Sequence, residues 1–115
     1  MSNSVPAADF AVTSELRGEA ATVAVRGEVD VYTAPQLRDE LYRVIGDGAK
    51  QVVLDLSAMT FIDSTGLGVV VGSLKRVRES DGDLILRSLS RSTRKVLDIT
   101  GLSRIVEIQG EPEED

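Results

Sequence analysis

Apolar positions along this chain repeat with two periods, and the change from one to the other marks out its elements. Phe10, Val12, Ser14 and Leu16 alternate with their neighbours, Gly18-Glu19 offers a turn, and Thr22-Val23-Ala24-Val25-Arg26 follows, so the first segment predicts a hairpin of two strands. Gly27-Glu28-Val29-Asp30 then leads out of the second strand. Ala34, Leu37, Leu41, Val44 and Ile45 recur at helical spacing and predict a helix that Gly46 to Gly48 ends. Thr33 stands three positions before Gln36, which is capping-box spacing, and Pro35 falls in a first turn where its missing N–H costs nothing.

Val52-Val53-Leu54-Asp55-Leu56 is nearly continuous apolar sequence and reads as a central strand buried on both faces. A loop from Ser57 to Asp63 is expected next, then a helix carrying Leu67, Val70, Val71, Leu74 and Val77. Asp83 to Leu86 predicts another strand. Ser90 or Ser92 can cap a third helix with Val96, Leu97 and Ile99 inside it, closed by a left-handed glycine at Gly101 with Leu102 as its apolar contact. Ile105, Val106 and Ile108 complete a last strand. This order places the chain in the α/β class, with a mixed β-sheet whose parallel core strands are joined by helical crossovers. One domain over residues 9–109 is expected, with flexible tails at 1–8 and 110–115, the latter acidic.

Composition removes several chemistries. With no cysteine and no histidine in 115 residues, Cys-His and Ser-His-Asp nucleophile activation and the usual zinc sites lack an essential side chain. A net charge of −6 opposes binding to a phosphate backbone, and two Phe, two Tyr and no Trp make a poor base-stacking platform, so no nucleic-acid partner is expected. No segment approaches the roughly 20 apolar residues that span a bilayer, and the first residues lack a basic start followed by an apolar run; a cytoplasmic protein with no membrane partner is the expectation.

The segment that carries chemistry is Phe61-Ile62-Asp63-Ser64-Thr65-Gly66-Leu67-Gly68, between a buried strand and an amphipathic helix. In α/β sheets functional groups gather beyond the carboxyl ends of parallel strands, and a helix start there offers free N–H groups and partial positive charge. A phosphate on Ser64 could accept N–H bonds from the following turn. Two structural readings stand beside this one. Ser64 or Asp63 can be an ordinary helix cap, and Gly66, Gly68 and Gly72 can serve close packing or access.

Gly27-Glu28-Val29-Asp30, the strand Val52 to Leu56, Asp63-Ser64-Thr65-Gly66-Leu67-Gly68 and the Gly101-Leu102 pair resemble the STAS domain of anti-sigma factor antagonists, from about Phe10 to Ile108. The resemblance implies a single STAS-like domain that binds a partner and is not an enzyme. Its unphosphorylated form is expected to bind an anti-sigma factor serine kinase, releasing a sigma factor to activate transcription. Phosphorylation of the serine after the aspartate, Ser64, is expected to abolish that binding, and a serine phosphatase to restore it. Thr65 leaves a second hydroxyl acceptor. Asp30 is expected to line the partner surface and Asp63 to orient Ser64, with Thr65, Gly66 and Leu67 completing the partner-binding segment. No cofactor or metal is expected, and the chain is expected to be a monomer or a weak dimer. Phosphate adds −1.5 to −2 charge beside Asp63 and Asp30, which favours loss of the complex.

Other systems that use STAS domains as interaction modules, such as stressosomes and anion transporters, are the alternative. A receiver domain with a magnesium-bound aspartyl phosphate fits poorly, because Asp55 lies inside an apolar strand and no lysine follows Ile105. A Ser64 hydrolase using Lys75 or Lys95 lacks the Gly-x-Ser-x-Gly elbow. Lys75, Arg76 and Arg78 read as the solvated end of the second helix, and Arg87, Arg91, Arg94 and Lys95 as solvated surface near the third.

Overall fold

The hairpin forms from β1 (Ala11–Arg17) and β2 (Ala20–Val29), paired antiparallel about a turn in which Gly18 takes a left-handed φ of 61°. The structure is a computed structural model and describes residues 9–110. The expected tails at 1–8 and 110–115 lie outside the described residues, Gly110 excepted. After β2 come α1 (Ala34–Gly46), β3 (Gln51–Ile62), α2 (Ser64–Glu79), β4 (Asp83–Arg87), α3 (Arg91–Thr100) and β5 (Glu107–Gln109). The sheet order is β1-β2-β3-β4-β5, and every pair after the first is parallel. This is the mixed sheet the element order predicts.

The helices settle which sheet face is buried. Leu37, Leu41, Val44 and Ile45 of α1 and Val70, Leu74 and Val77 of α2 join Val23, Val25, Val52, Leu54, Leu84 and Leu86 in one core, to which Leu97 of α3 also belongs. On β3 the alternate residues Val53 and Asp55 are only half-buried. The central strand is therefore buried on one face, not both. Its second face carries the Asp55–Arg87 ion pair at 3.4 Å, which makes a carboxylate within an apolar run tolerable. Ser14 donates to Glu40, and Arg43 donates to Ser14 at 2.9 Å, tying the outer strand β1 to α1.

Three further sequence expectations change. The loop expected from Ser57 to Asp63 is strand through Ile62, because β2 also continues to Val29 and pairs with it, with register shifts between Ala24 and Arg26 and between Gly27 and Glu28. Those irregularities break the apolar alternation by which a strand is recognised. Thr33 precedes α1 but makes no side-chain cap bond, its hydroxyl being occupied in the preceding loop. Ile99 lies in α3 as expected and is exposed there. Ile105 and Val106 follow a 3-10 turn at Leu102–Arg104 and precede β5 rather than belonging to it. Ser90 is the cap of α3, accepting from the Thr93 N–H at 3.1 Å, and Gly101 closes it with φ 84°.

Two measurements test this packing. Among the described residues the Ser73 hydroxyl is fully buried without a hydrogen-bond partner. Ser73→Ala removes that desolvated hydroxyl and improves helix propensity, so urea unfolding is expected to show a gain of about 1 kcal/mol; a loss would mean the hydroxyl is satisfied. Burial alone would raise the pKa of Asp55, but the Ser57 N–H and hydroxyl and the Arg87 guanidinium outweigh it and hold the carboxyl below its ordinary value. A depressed folded-state pKa contributes stability above the unfolded value and loses it as pH falls through the folded one. Asp55→Asn is accordingly expected to flatten the fall of melting temperature below about pH 4. An unchanged acid slope would refute this.

Candidate functional site

The carboxyl ends of β2 and β3 lie side by side, with Val29 opposite Ile62 and the Asp63 N–H donating to the Val29 carbonyl at 3.1 Å. That pairing brings the loop leaving β2 next to the β3–α2 junction, so residues more than thirty positions apart share one surface.

The loop is built around Asp30. Its Oδ1 accepts from the Tyr32 N–H at 2.9 Å and the Thr33 N–H at 3.1 Å, an Asx-type turn. The Asp30 N–H donates to Thr33 Oγ1 at 2.9 Å. Thr33 has one hydroxyl proton, and the 2.7 Å contact to the Glu28 carbonyl claims it over the 3.2 Å contact to Asp30 Oδ1. The half-buried Asp30 carboxylate thus holds the loop's shape, and the loop turns Val31 and Tyr32 outward, 58% and 87% exposed.

At the junction Asp63, extended at φ −105° and ψ −172°, caps α2 by accepting from the Gly66 N–H at 3.1 Å. The cap is the aspartate, so Ser64 is the first helical residue, and both Ser64 and Thr65 are exposed. The Ser64 and Thr65 N–H groups lie in the first turn and have no intrahelical acceptor, which gives the site partial positive charge. An exposed hydroxyl on such a turn can carry a phosphate without disturbing the core.

Gly66 is buried, and a Cβ there would come within 2.6 Å of Ile62 Cγ1 and 2.7 Å of Val29 Cγ1, so the contacts it makes are with the fold. Leu67 is half-buried against the core. A Cβ on Gly72 would meet Tyr42 Oη at 3.0 Å, whereas one on Gly68 would meet nothing within 4 Å. Of the six positions expected to serve a partner, Ser64 and Thr65 are exposed, Asp30, Asp63 and Leu67 are half-buried, and Gly66 is buried. Sequence reasoning missed Val31 and Tyr32, which with Phe61 of the quoted segment are exposed apolar residues at this end of the sheet. The available signal was that Val31 and Tyr32 fall outside both apolar periods. Among the described residues there is no carboxylate group suited to a metal ion, and no helix is long and apolar enough to cross a membrane.

The same architecture is found in known proteins. The family described as STAS domain matches residues 11–114. The chain is 42% identical to the anti-sigma-B factor antagonist of Bacillus subtilis over 91 residues, covering 79% of this chain and 83% of that protein. The crystal structure of an anti-sigma factor antagonist from Mycobacterium paratuberculosis superposes with a TM-score of 0.79 at 26% identity, covering 89% of this chain and 86% of the other. SpoIIAA of Bacillus in its phosphorylated form shares the fold at TM-score 0.68 and 23% identity, covering 89% and 92%. The chain belongs to the STAS domain family. Within it, the proteins it resembles are bacterial anti-sigma factor antagonists.

Proposed function

We propose that this protein is an anti-sigma factor antagonist of the cytoplasm, a binding protein rather than an enzyme, whose switch is Ser64. Unphosphorylated, it binds an anti-sigma factor that is a serine kinase and so frees a sigma factor. Phosphorylated on Ser64, it lets that partner go until a serine phosphatase resets it. The observation that supports this reading most is the placement of an exposed Ser64 on the first turn of α2, held by the Asp63 cap beside the Asp30 loop. The B. subtilis relative is named for antagonism of an anti-sigma factor, and a structural neighbour is described in a phosphorylated form.

Mass spectrometry after incubation with ATP and each anti-sigma kinase of the same genome tests it. One phosphate located on Ser64, and absent from Ser64→Ala, is the expected result. Modification of Thr65 instead would move the switch by one residue. Binding without modification would leave a partner module outside kinase control, and neither binding nor modification would favour another STAS system.

Gly68 lies one turn after Ser64, exposed, where no neighbour in the chain demands a glycine. Close approach of the partner's backbone explains it. Gly68→Ala is therefore expected to stabilise the isolated protein by up to about 1 kcal/mol while weakening partner binding. Calorimetric unfolding and titration calorimetry separate the two effects, and unimpaired binding would show that the partner does not reach Gly68.

A further inference from the structure

A second feature adjoins the switch surface. Gly27 takes φ 94°, and a Cβ there would lie 3.1 Å from the Asp9 carbonyl oxygen and 3.2 Å from Phe10 Cα. The glycine therefore lets the segment entering β1 pass close over β2, where Phe10 packs against the core and forms one wall of a groove of about 780 Å³. Tyr32 forms another wall, and Ala58 and Thr60 from the irregular stretch of β3 contribute to the lining. The volume is that of a ligand cleft, large enough for a side chain with the backbone that carries it.

Its charge selects the occupant. Among the described residues, Asp9, Glu28 and Asp30 border the groove against one cation, Arg26. Asp30 engages only Oδ1 in the loop, and among the described residues no hydrogen bond reaches its Oδ2. Apolar walls with an excess of carboxylates suit a cation on an apolar stem, and a planar guanidinium also stacks on an exposed tyrosine face and presents a fork to a carboxylate. We infer that the groove between Phe10 and Tyr32 is a docking site for an arginine-bearing extended segment of a partner protein. It is separate from the Ser64 hydroxyl but shares Asp30 and Tyr32 with the loop beside it, so a partner on Ser64 can reach it.

The inference is tested on the isolated full chain, without any sigma-factor component, so that its outcome is independent of the function proposed above. Amide chemical shifts are followed by NMR at low salt during titration with the capped peptides Gly-Arg-Gly, Gly-norleucine-Gly and Gly-Glu-Gly. The expected result is a saturable shift confined to Gly27, Glu28, Asp30, Tyr32 and Thr60 with the arginine peptide, and affinity at least about fivefold lower with norleucine. Glu28→Gln is expected to lower arginine-peptide affinity about two- to fivefold, and Tyr32→Ala, at a residue 87% exposed, by a similar factor without loss of the folded spectrum. Equal binding of norleucine would make the groove merely apolar and overturn the inference. Preference for the glutamate peptide, shifts spread over remote carboxylates such as Asp39 and Asp47, or no saturable shift would overturn it as well.

Discussion

Replacing Ser64 with glutamate is expected to weaken binding of the anti-sigma partner by up to on the order of a hundredfold, while Ser64→Ala binds like the parent and can no longer be switched. For unit like charges roughly 6 Å apart at an effective dielectric near 20, repulsion is about 3 kcal/mol, which corresponds to that factor. Asp63 and Asp30 supply the neighbouring negative charge, on the Ser64 side of a chain that is already at −6. In the free protein this repulsion is present too but screened by water and salt, because Ser64 is exposed. Docking removes the water, and the penalty appears as lost affinity. The effect is consequently largest when the partner seals the site. Titration calorimetry of the two variants against the partner measures it, and glutamate binding within threefold of parent would rule out an electrostatic switch at this position. The fold is expected to survive the substitution, since an anion on the first turn of a helix is favourable by some tenths of a kcal/mol.

Gly66→Ala is expected to destabilise the protein by about 1–3 kcal/mol, the opposite sign to Gly68→Ala two residues along the same helix. Propensity alone would favour alanine at both positions by up to about 1 kcal/mol. At Gly66 the new Cβ falls within 2.6 Å of Ile62 Cγ1 and 2.7 Å of Val29 Cγ1, both of which belong to the strands that α2 leaves or faces. Either those side chains leave their rotamers or the first turn of α2 lifts away, taking Ser64 with it. For a domain of this size each 1 kcal/mol shifts the melting temperature by about 4–8 °C, so the paired variants are readily told apart in a thermal scan. A Gly66→Ala protein that melts at or above the parent would show that the junction yields to the extra methyl.

The apolar pattern of α1 was fully legible: Ala34, Leu37, Leu41, Val44 and Ile45 are its buried residues. The pattern of α2 was legible in part, with Val70, Leu74 and Val77 buried, Leu67 and Val71 only half so, and Gly66 and Ser73 in places no hydropathy argument would assign. Strand β3 was half missed. The run Val52 to Leu56 announces itself by hydrophobicity, whereas Ser57 to Ile62 is strand because β2 holds it there through two register shifts. A run of Ser, Ala, Met and Thr carries no period that says so. At the junction, both Asp63 and Ser64 were candidate caps, and the choice between them depends on which oxygen reaches the Gly66 N–H.

Class, element order and the position of the Asp63–Gly68 segment were contained in the chain itself, because local periodicity and the motif around Ser64 need no long-range partner to be read. Tertiary structure decided what each of those residues does. It gave the first helical position to Ser64, let the Asp30 carboxylate hold a loop, and exposed Val31, Tyr32 and Phe61 at the same end of the sheet. Exposure and hydrogen-bond partners depend on which strand ends meet, and the meeting of Val29 with Ile62 is a property of the folded sheet rather than of either segment alone.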